Sequence, residues 1–225
     1  MKAKIDALKD VDVNIEFSEV RTDGACVDSY VLTRTWTATD DCGNTSTCAQ
    51  TITINDDEAP VIANVPADET VECDAIPEPI NPTAIDNCNT PPQVSFREER
   101  VDGNCLDNYA LLRIWTATDF CGNAIVDTQI VLVNDTKAPV FQNIPANLTL
   151  DATKGETLPD VPDNIMALDN CAEEVTIEFT EEETIDNCSR IVNRTWLAVD
   201  NCGNATTISQ VVIITDTQAP VFTET

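Results

Sequence analysis

A ten-residue motif occurs three times in the chain and divides it into units of nearly equal length. Each copy starts one residue before a tryptophan, at Trp36, Trp115 and Trp196, and ends in Cys-Gly-Asn. The tryptophans are 79 and 81 residues apart. An Ala-Pro-Val segment follows each copy at the same place. Units of this length are too long for a solenoid repeat and suit a small β-sandwich domain.

These markers predict the domain boundaries. Residues 58–136 and 137–217 should form complete second and third repeats. Residues 1–57 contain only the C-terminal strands of a first repeat, and residues 218–225 begin a fourth. We therefore expect the chain to be a piece of a longer secreted polypeptide.

The segments around each tryptophan have the composition of β-strands. Tyr30 to Thr39, Tyr109 to Thr118 and Ile191 to Val199 are rich in Thr, Val, Ile, Leu and aromatic residues and contain no Gly or Pro. No amphipathic helix longer than a turn is visible. The expected fold class is all-β, with tandem immunoglobulin-like β-sandwich repeats in an elongated rod. Each tryptophan should lie on the inner face of its sandwich. Arg34, Arg113 and Arg194, two residues earlier, should share that face and reach acidic residues near the third strand.

Charge and composition exclude several classes of function. The chain has 12 Lys+Arg against 40 Asp+Glu and a formal net charge of −28, so nucleic acid and anionic membranes are not expected partners. It has no histidine, which removes Ser-His-Asp and Cys-His catalysis, and we expect no enzyme. No apolar run approaches the roughly 18 residues that span a bilayer, so the protein is not expected to cross a membrane.

Three motifs in fixed order resemble a known family. They are Ala-x-Asp-Asn at 84–87 and 167–170, Thr-Ala-Thr-Asp-x-x-Gly-Asn, and the linker Asp-x-x-Ala-Pro-Val. They are similar to HYR-type immunoglobulin-like repeats of Bacteroidota cell-surface adhesins, including gliding-motility adhesins. A looser similarity exists to cadherin repeats, whose linkers hold calcium between domains. The resemblance implies a spacer and binding segment of an extracellular, cell-surface fibre with no catalysis of its own. Thr136 and Thr217 depart from the pattern, because a second acidic residue is expected there.

The sandwich topology predicts calcium sites where neighbouring repeats meet. The loop after the second strand, the loop before the last strand and the preceding linker should lie together, and their oxygen-rich side chains suit a hard cation with six to eight oxygen ligands. The candidate ligands are Asn55, Asp56, Asp57, Asp86, Asn87 and Asp119 at the first junction, and Asn134, Asp135, Asp169, Asn170 and Asp200 at the second. Acidic residues of the turns after the third strand should add to them: Glu19, Asp23, Glu98, Glu99 and Asp102. The Asp56-Asp57 junction is expected to be the stronger. Alternatively, the Asp-Asn pairs are turn formers and the charge keeps the protein soluble.

The ten cysteines include no Cys-x-x-Cys pair, which favours disulfides in an oxidising compartment over redox or metal-binding cysteines. Pairing Cys26 with Cys42 is rejected, because the strand between them separates its ends by about 30 Å and bridged Cα atoms lie within about 7 Å. The same applies to the corresponding pairs in the other repeats. The expected disulfides are Cys88–Cys121, Cys171–Cys202 and Cys73–Cys105.

Two functions remain. The first is a structural and adhesive segment of a cell-surface fibre, whose partners are neighbouring repeats of the same polypeptide and whose junctions hold calcium. The alternative is a glycan- or protein-binding module that acts through exposed loops. Binding sites usually expose aromatic residues, and here the three Trp and the Phe residues near the strands are expected in cores. This favours the structural function.

Overall fold

The computed structural model describes residues 12–88, 90–186 and 188–222. Residues 1–11 of the predicted first repeat and 223–225 of the predicted fourth lie outside these ranges. The described chain forms fifteen β-strands and two short 3₁₀ helices. In this part of the chain no helix is both long and apolar enough to cross a membrane. The prediction of an all-β, immunoglobulin-like fold is confirmed, while the elongated rod stays a prediction.

The first three strands form one antiparallel sheet. They are β1 (Val13–Asp23), β2 (Tyr30–Asp40) and β3 (Thr45–Ile54), with β2 in the centre. Phe17 on β1 lies opposite Trp36 on β2, and their ring centroids are 5.4 Å apart. A cross-strand aromatic pair of this kind stabilises a sheet beyond its hydrogen bonds.

The next six strands form two sheets. They are β4 (Val61–Ala63), β5 (Glu69–Val71), β6 (Thr83–Ile85), β7 (Gln93–Asp102), β8 (Tyr109–Thr118) and β9 (Ala124–Val133). Strands β4 and β6 pair with each other, and the remaining four have the order β5-β9-β8-β7. Strand β5 runs parallel to β9 and is followed by the 3₁₀ helix Cys73–Ala75.

The last six strands repeat this arrangement. They are β10 (Val140–Gln142), β11 (Leu148–Asp151), β12 (Met166–Leu168), β13 (Thr176–Asp186), β14 (Ser189–Val199) and β15 (Ala205–Thr215). Strands β10 and β12 pair, and the larger sheet has the order β11-β15-β14-β13 with β11 parallel to β15. The second 3₁₀ helix, Ala152–Lys154, follows β11.

The core of this last set lies between its two sheets. Phe141 on β10 packs with Trp196 and Ala198 on β14, and Ala167 on β12 adds to the same cluster. The ring centroid of Phe179 on β13 lies 5.2 Å from that of Trp196. The two sheets therefore form a sandwich around Phe141 and Trp196, whereas Phe179 is 41% exposed. The prediction that the Phe residues near the strands lie in cores is wrong, because Phe17 and Phe96 are also exposed.

Of the three arginines that precede the tryptophans, Arg113 and Arg194 are buried and Arg34 is partly exposed. Arg194 is 2% exposed, and its Nε donates to Oε2 of Glu181 at 2.8 Å while Nη2 donates to the carbonyl of Pro159 at 2.6 Å. Arg113 is 3% exposed and donates to Glu98 at 2.8 Å. A buried guanidinium needs such partners, because an unpaired buried charge is strongly destabilising.

The chain divides into two compact units. The first contains the described residues up to Pro66 together with Pro79–Glu98 and Arg113–Gln129. The second contains Ala67–Glu78, Glu99–Leu112 and the described residues from Ile130 onward. This division does not coincide with the predicted repeat boundaries, which stay a prediction. The first linker, with Asp56, lies in the first unit, and the second linker, with Asp135, lies in the second unit.

Candidate metal centres at the two linkers

Each copy of the ten-residue motif ends in a turn built on its aspartate. Oδ1 of Asp119 accepts the backbone N–H groups of Cys121 at 2.8 Å and Asn123 at 2.9 Å, and Oδ2 accepts from the Asn123 side chain at 2.8 Å. Asp200 has the same set of bonds in the third copy. Gly122 has φ of 91°, a left-handed conformation that glycine adopts without strain. The motif therefore fixes the position of one carboxylate in each repeat.

A second loop supplies another aspartate. Oδ1 of Asp86 accepts the N–H of Cys88 at 2.9 Å, and Oδ1 of Asp169 accepts that of Cys171 at 2.8 Å. The other oxygen of each carboxylate, Oδ2, is buried without a hydrogen-bond partner. The turn thus uses one oxygen and leaves the second available.

The linker aspartate is held by its backbone from two sides. The N–H of Asp56 donates to Oγ of Ser29 at 3.1 Å, and its carbonyl accepts from the side chain of Asn123 at 3.2 Å. The equivalent bonds in the second linker run from Asp135 N to Asn108 Oδ1 (2.7 Å) and from Asn204 Nδ2 to Asp135 O (3.2 Å). Sequence reasoning missed these anchoring residues, although the motif asparagine recurs at a constant position in every copy.

The second acidic cluster consists of Asp135, Asp169 and Asp200. One carboxylate oxygen from each lies within 4.8 Å of the others. Asp135 is only 4% exposed, and its Oδ2 has no hydrogen-bond partner. Burial, followed by the charges of Asp169 and Asp200, raises the pKa of Asp135 to about 6. Lys137, the nearest basic residue in the sequence, donates instead to Asp74 at 3.1 Å.

The first acidic cluster consists of Asp56, Asp86 and Asp119, with the thiol of Cys88 beside them. One oxygen of Asp56, one oxygen of Asp86 and the Cys88 sulfur all lie within 4.8 Å of one another. Asp119 acts on Asp56 through its charge. Both carboxylate oxygens of Asp56 are buried without a hydrogen-bond partner. Burial, followed by the charges of Asp119 and Asp86, raises the pKa of Asp56. Burial opposes ionisation of Asp119 as well, but hydrogen bonds from Asn123, Cys121 and Gly122 together outweigh it and lower the pKa of Asp119.

These clusters have the properties of an oxygen-ligand cation site. Buried carboxylates without a counter-charge are costly, because they lose hydration and repel one another. Among the described residues, the ion pairs found do not include any of the six clustered aspartates. A divalent cation would satisfy both the charge and the unpartnered oxygens, so the residues present fit a calcium ion.

The remaining predicted ligands lie at the edge of the clusters. All five are exposed: Asn55, Asp57, Asn87, Asn134 and Asn170. The Asn87 amide donates to Glu58 at 2.6 Å, and the Asn170 amide donates to the sulfur of Cys171 at 3.0 Å. Their role as ligands stays a prediction.

Acidic residues of the third-strand region are engaged elsewhere. Glu19 and Glu98 form ion pairs with Arg34 and Arg113, the arginines that precede the tryptophans. Glu181 does the same with Arg194 in the third repeat. Asp23 and Asp102 bind the arginine two residues before them on the same strand. The prediction that these four residues join the metal sites is wrong, because nearby guanidinium groups hold their carboxylates along the strands.

Glu72 is an acidic neighbour that sequence reasoning missed. It lies beside Asp135 and Cys171, with one ligand atom of each within 4.8 Å. Its carboxylate accepts the Thr136 hydroxyl at 2.5 Å. Glu72 therefore adds negative charge to the second acidic cluster and also binds the second linker through Thr136.

The disulfides differ from all three predicted pairs. Cysteines of successive repeats are joined, with Cα–Cα distances of 5.0, 5.6 and 5.2 Å, as Cys26–Cys121, Cys73–Cys171 and Cys105–Cys202. The predictions Cys88–Cys121, Cys171–Cys202 and Cys73–Cys105 are wrong because they assumed pairing within one repeat. The rejection of pairs such as Cys26 with Cys42 holds. Cys42, Cys48, Cys88 and Cys188 are free.

No protein-family model matches the sequence, and no curated protein matches it. Cadherin ectodomains are among the similar solved structures. Drosophila N-cadherin EC1-4 is 14% identical with a TM-score of 0.31, over 92% of this chain and 68% of that one. The protocadherin GammaB4 extracellular domain is 13% identical with a TM-score of 0.33, over 91% of this chain and 45% of that one. The human desmocollin-1 ectodomain is 11% identical with a TM-score of 0.29, over 97% of this chain and 57% of that one. This chain thus spans about half the length of the last two, and at these values the similarity does not indicate what it binds.

Proposed function

We propose that each acidic cluster binds one or more Ca²⁺ ions and thereby ties a linker to the loops of the repeat that follows it. The ligands would be Asp56, Asp86 and Asp119 in the first site and Asp135, Asp169 and Asp200 in the second. The observation that carries the proposal is the set of buried carboxylate oxygens without hydrogen-bond partners in both clusters. A turn-forming role alone accounts for the Oδ1 atoms of Asp86 and Asp169 but leaves these oxygens unexplained.

Calcium suits the donor atoms better than softer metals do. The chain has no histidine, and the clustered ligands are carboxylates, which favour hard cations. The first cluster also contains a thiol, but burial, followed by the charge of Asp56, raises the pKa of Cys88 to about 11. At neutral pH that thiol is therefore protonated when no metal is bound, and a thiolate-binding metal such as zinc would have to displace its proton.

Acidic clusters and disulfides at successive linkers support a proposal for the chain as a whole. We propose a structural and adhesive segment of a long extracellular cell-surface fibre, in which calcium and disulfides stiffen successive repeats. The three disulfides favour an oxidising compartment, and the motifs shared with HYR-type repeats favour a surface adhesin of the gliding-motility kind. No catalysis is proposed.

Calorimetric titration tests the metal sites. We expect binding of Ca²⁺ to the intact protein with a Kd on the order of 10⁻⁴ to 10⁻³ M, typical of extracellular modules, and weaker binding of Mg²⁺. The double variant Asp56→Asn/Asp135→Asn should lose this binding. Asp127→Asn is the matched control, because Asp127 lies on β9 and accepts a bond from Thr128 outside both clusters. Unchanged calcium binding in the double variant would refute the assignment.

A further inference from the structure

Both loop aspartates of the second acidic cluster lie two residues before a cysteine that forms a disulfide. Oδ1 of Asp169 accepts the backbone N–H of Cys171 at 2.8 Å, and Oδ1 of Asp200 accepts that of Cys202 at 2.8 Å. Each carboxylate is therefore fixed to the backbone of a bonded cysteine. A restraint on either cysteine is also a restraint on the carboxylate beside it.

The first of these disulfides, Cys73–Cys171, leads to a segment that also binds the second linker. Glu72, the neighbour of Cys73, accepts the hydroxyl of Thr136 at 2.5 Å. One oxygen of Glu72, one oxygen of Asp135 and the Cys171 sulfur all lie within 4.8 Å of one another. This disulfide therefore holds the loop after β12 against a segment that is itself bonded to the linker.

The second disulfide, Cys105–Cys202, restrains the other loop in the same way. Cys105 lies in the turn between β7 and β8, where its carbonyl accepts the N–H of Asn108 at 3.3 Å. Oδ1 of Asn108 accepts the N–H of Asp135 at 2.7 Å. On the other side, the amide of Asn204 donates to the carbonyl of Asp135 at 3.2 Å. The linker aspartate is thus held by two turns that this disulfide connects.

The charges of the cluster oppose this arrangement when no cation is bound. One oxygen of each of the three aspartates lies within 4.8 Å of the others. Asp135 is 4% exposed, and its Oδ2 is buried without a hydrogen-bond partner. Like charges this close repel one another and favour separation of the loops from the linker. The two covalent bonds limit that separation, and a site assembled in advance binds more tightly because less order has to be gained on binding.

We propose that Cys73–Cys171 and Cys105–Cys202 are positioning groups of the second calcium site. They hold Asp169 and Asp200 beside Asp135 before the ion binds, and the calcium affinity depends on both bonds. All of these residues belong to the second compact unit. The inference rests on the calcium site proposed above. Because coupling between two equilibria is reciprocal, bound calcium should favour the bonded form of both disulfides by the same factor.

Calorimetric titration of bridge variants tests this positioning. The parent protein is Asp56→Asn, because this substitution removes a ligand of the first site and leaves the second cluster intact. In this parent, Cys73→Ser/Cys171→Ser and Cys105→Ser/Cys202→Ser should each raise the Kd for Ca²⁺ about tenfold, an effect typical of losing a group that orients a metal ligand.

Two control variants separate positioning from a general loss of stability. Cys26→Ser/Cys121→Ser removes the equivalent bridge of the first linker, with a sequence separation of 95 against 97 for Cys105–Cys202. Val192→Ala truncates a fully buried side chain on β14, outside the cluster, and lowers the stability of the same unit. Neither variant should change the Kd of the second site.

A second measurement keeps all cysteines, so it does not depend on the folding of a bridge variant. The Asp56→Asn protein is equilibrated with reduced and oxidised dithiothreitol, in EGTA and in saturating calcium. Each reduced bridge gains two electrons and two protons from dithiothreitol, which closes to its cyclic disulfide. Alkylation and peptide mass spectrometry give the fraction reduced. Calcium should lower the equilibrium constant for reduction of Cys73–Cys171 and Cys105–Cys202 about tenfold and leave that of Cys26–Cys121 unchanged.

The outcomes separate this inference from the calcium site on which it rests. The positioning role is overturned if either bridge variant keeps the Kd of the parent, if Val192→Ala weakens binding as much, or if calcium leaves reduction of the two bridges unchanged. Absence of calcium binding in the parent, with all three bridges formed, would overturn the second calcium site itself.

Discussion

The two acidic clusters each contain three aspartates, at equivalent positions of their repeats, but differ in the cysteine beside them. In the second, Cys171 is bonded to Cys73. In the first, the equivalent Cys88 is a free, half-buried thiol. Asp86 and Asp119 accept the same turn hydrogen bonds as Asp169 and Asp200, so these turns form with or without the disulfide. The carboxylates are arranged differently, because three aspartates lie within 4.8 Å of one another in the second cluster and two, with Cys88, in the first. The Cys73–Cys171 disulfide at the second linker is therefore a feature additional to the acidic cluster.

The linkers differ as well. Thr136 in the second linker donates its hydroxyl to Glu72, which fastens the linker to the residues after β5. The matching residue of the first linker is Asp57, which is exposed. Asp57 therefore does not add a buried carboxylate to that of Asp56. The expectation that the first junction binds calcium more strongly stays a prediction, and the following variants examine how far the two clusters are equivalent.

The largest expected effect comes from removing the bridge that distinguishes the clusters. Cys73→Ser/Cys171→Ser opens a link across 98 residues of sequence. A loop of about 100 residues corresponds to a loss of about 4.7 kcal/mol in the free energy of unfolding by the chain-entropy model. Urea denaturation measures the loss. Cys48→Ser should change stability by less than about 0.5 kcal/mol, as expected for an exposed site. Equal stability of wild type and the double variant would contradict the structural role of this bridge.

A smaller effect separates the turn-forming role of an aspartate from its role in the cluster. Asp119→Ala removes the acceptor of the Cys121 and Asn123 N–H groups, so stability in EGTA should fall by about 2 kcal/mol, and the calcium response of the first cluster should also disappear. Asp40→Ala removes the same kind of turn in the first repeat. It should lower stability without changing calcium binding, and titration of both variants distinguishes the two roles. A calcium response retained in Asp119→Ala would remove this residue from the site.

The smallest expected effect is on the pH dependence of stability in EGTA. The pKa of Asp135 is raised from 3.8 to about 6, so between these values the native state retains a proton that the unfolded chain has lost. The contribution of this group to stability therefore falls as the pH rises from about 4 to about 6 and stays low above it. Asp135→Asn should remove this part of the profile. Saturating calcium should also remove this pH dependence near pH 6, because calcium favours the ionised form of Asp135. A profile identical in wild type and variant would show that Asp135 is not perturbed.

The sequence predicted the strands around the tryptophans, the burial of Trp115 and Trp196, and the approach of linker and loop aspartates, because these depend on local patterns that recur along the chain. Trp36 is only partly buried. The sequence did not predict the disulfides. Rejecting Cys26–Cys42 was correct, since a strand separates the two ends. The partner, Cys121, lies in the next repeat, and spacing along one repeat contains no measure of the distance to its neighbour. The roles of Ser29 and Asn108 were missed for the same reason, because they bond to linkers distant in sequence.

Asp56 and Asp135 are proposed to be buried linker carboxylates whose charge a bound calcium ion neutralises. Thermal unfolding of wild type, Asp56→Asn and Asp135→Asn, each in EGTA and in calcium at about ten times the Kd, tests this proposal most directly. Calcium should stabilise wild type by about 1.4 kcal/mol per site, and each variant should lose one site's share. Each variant should also be more stable than wild type in EGTA, because it removes a buried like charge. The asparagine amide oxygen can still accept the Lys137 N–H that Oδ1 of Asp135 accepts at 3.3 Å. Variants that are less stable than wild type in EGTA and respond fully to calcium would contradict the account.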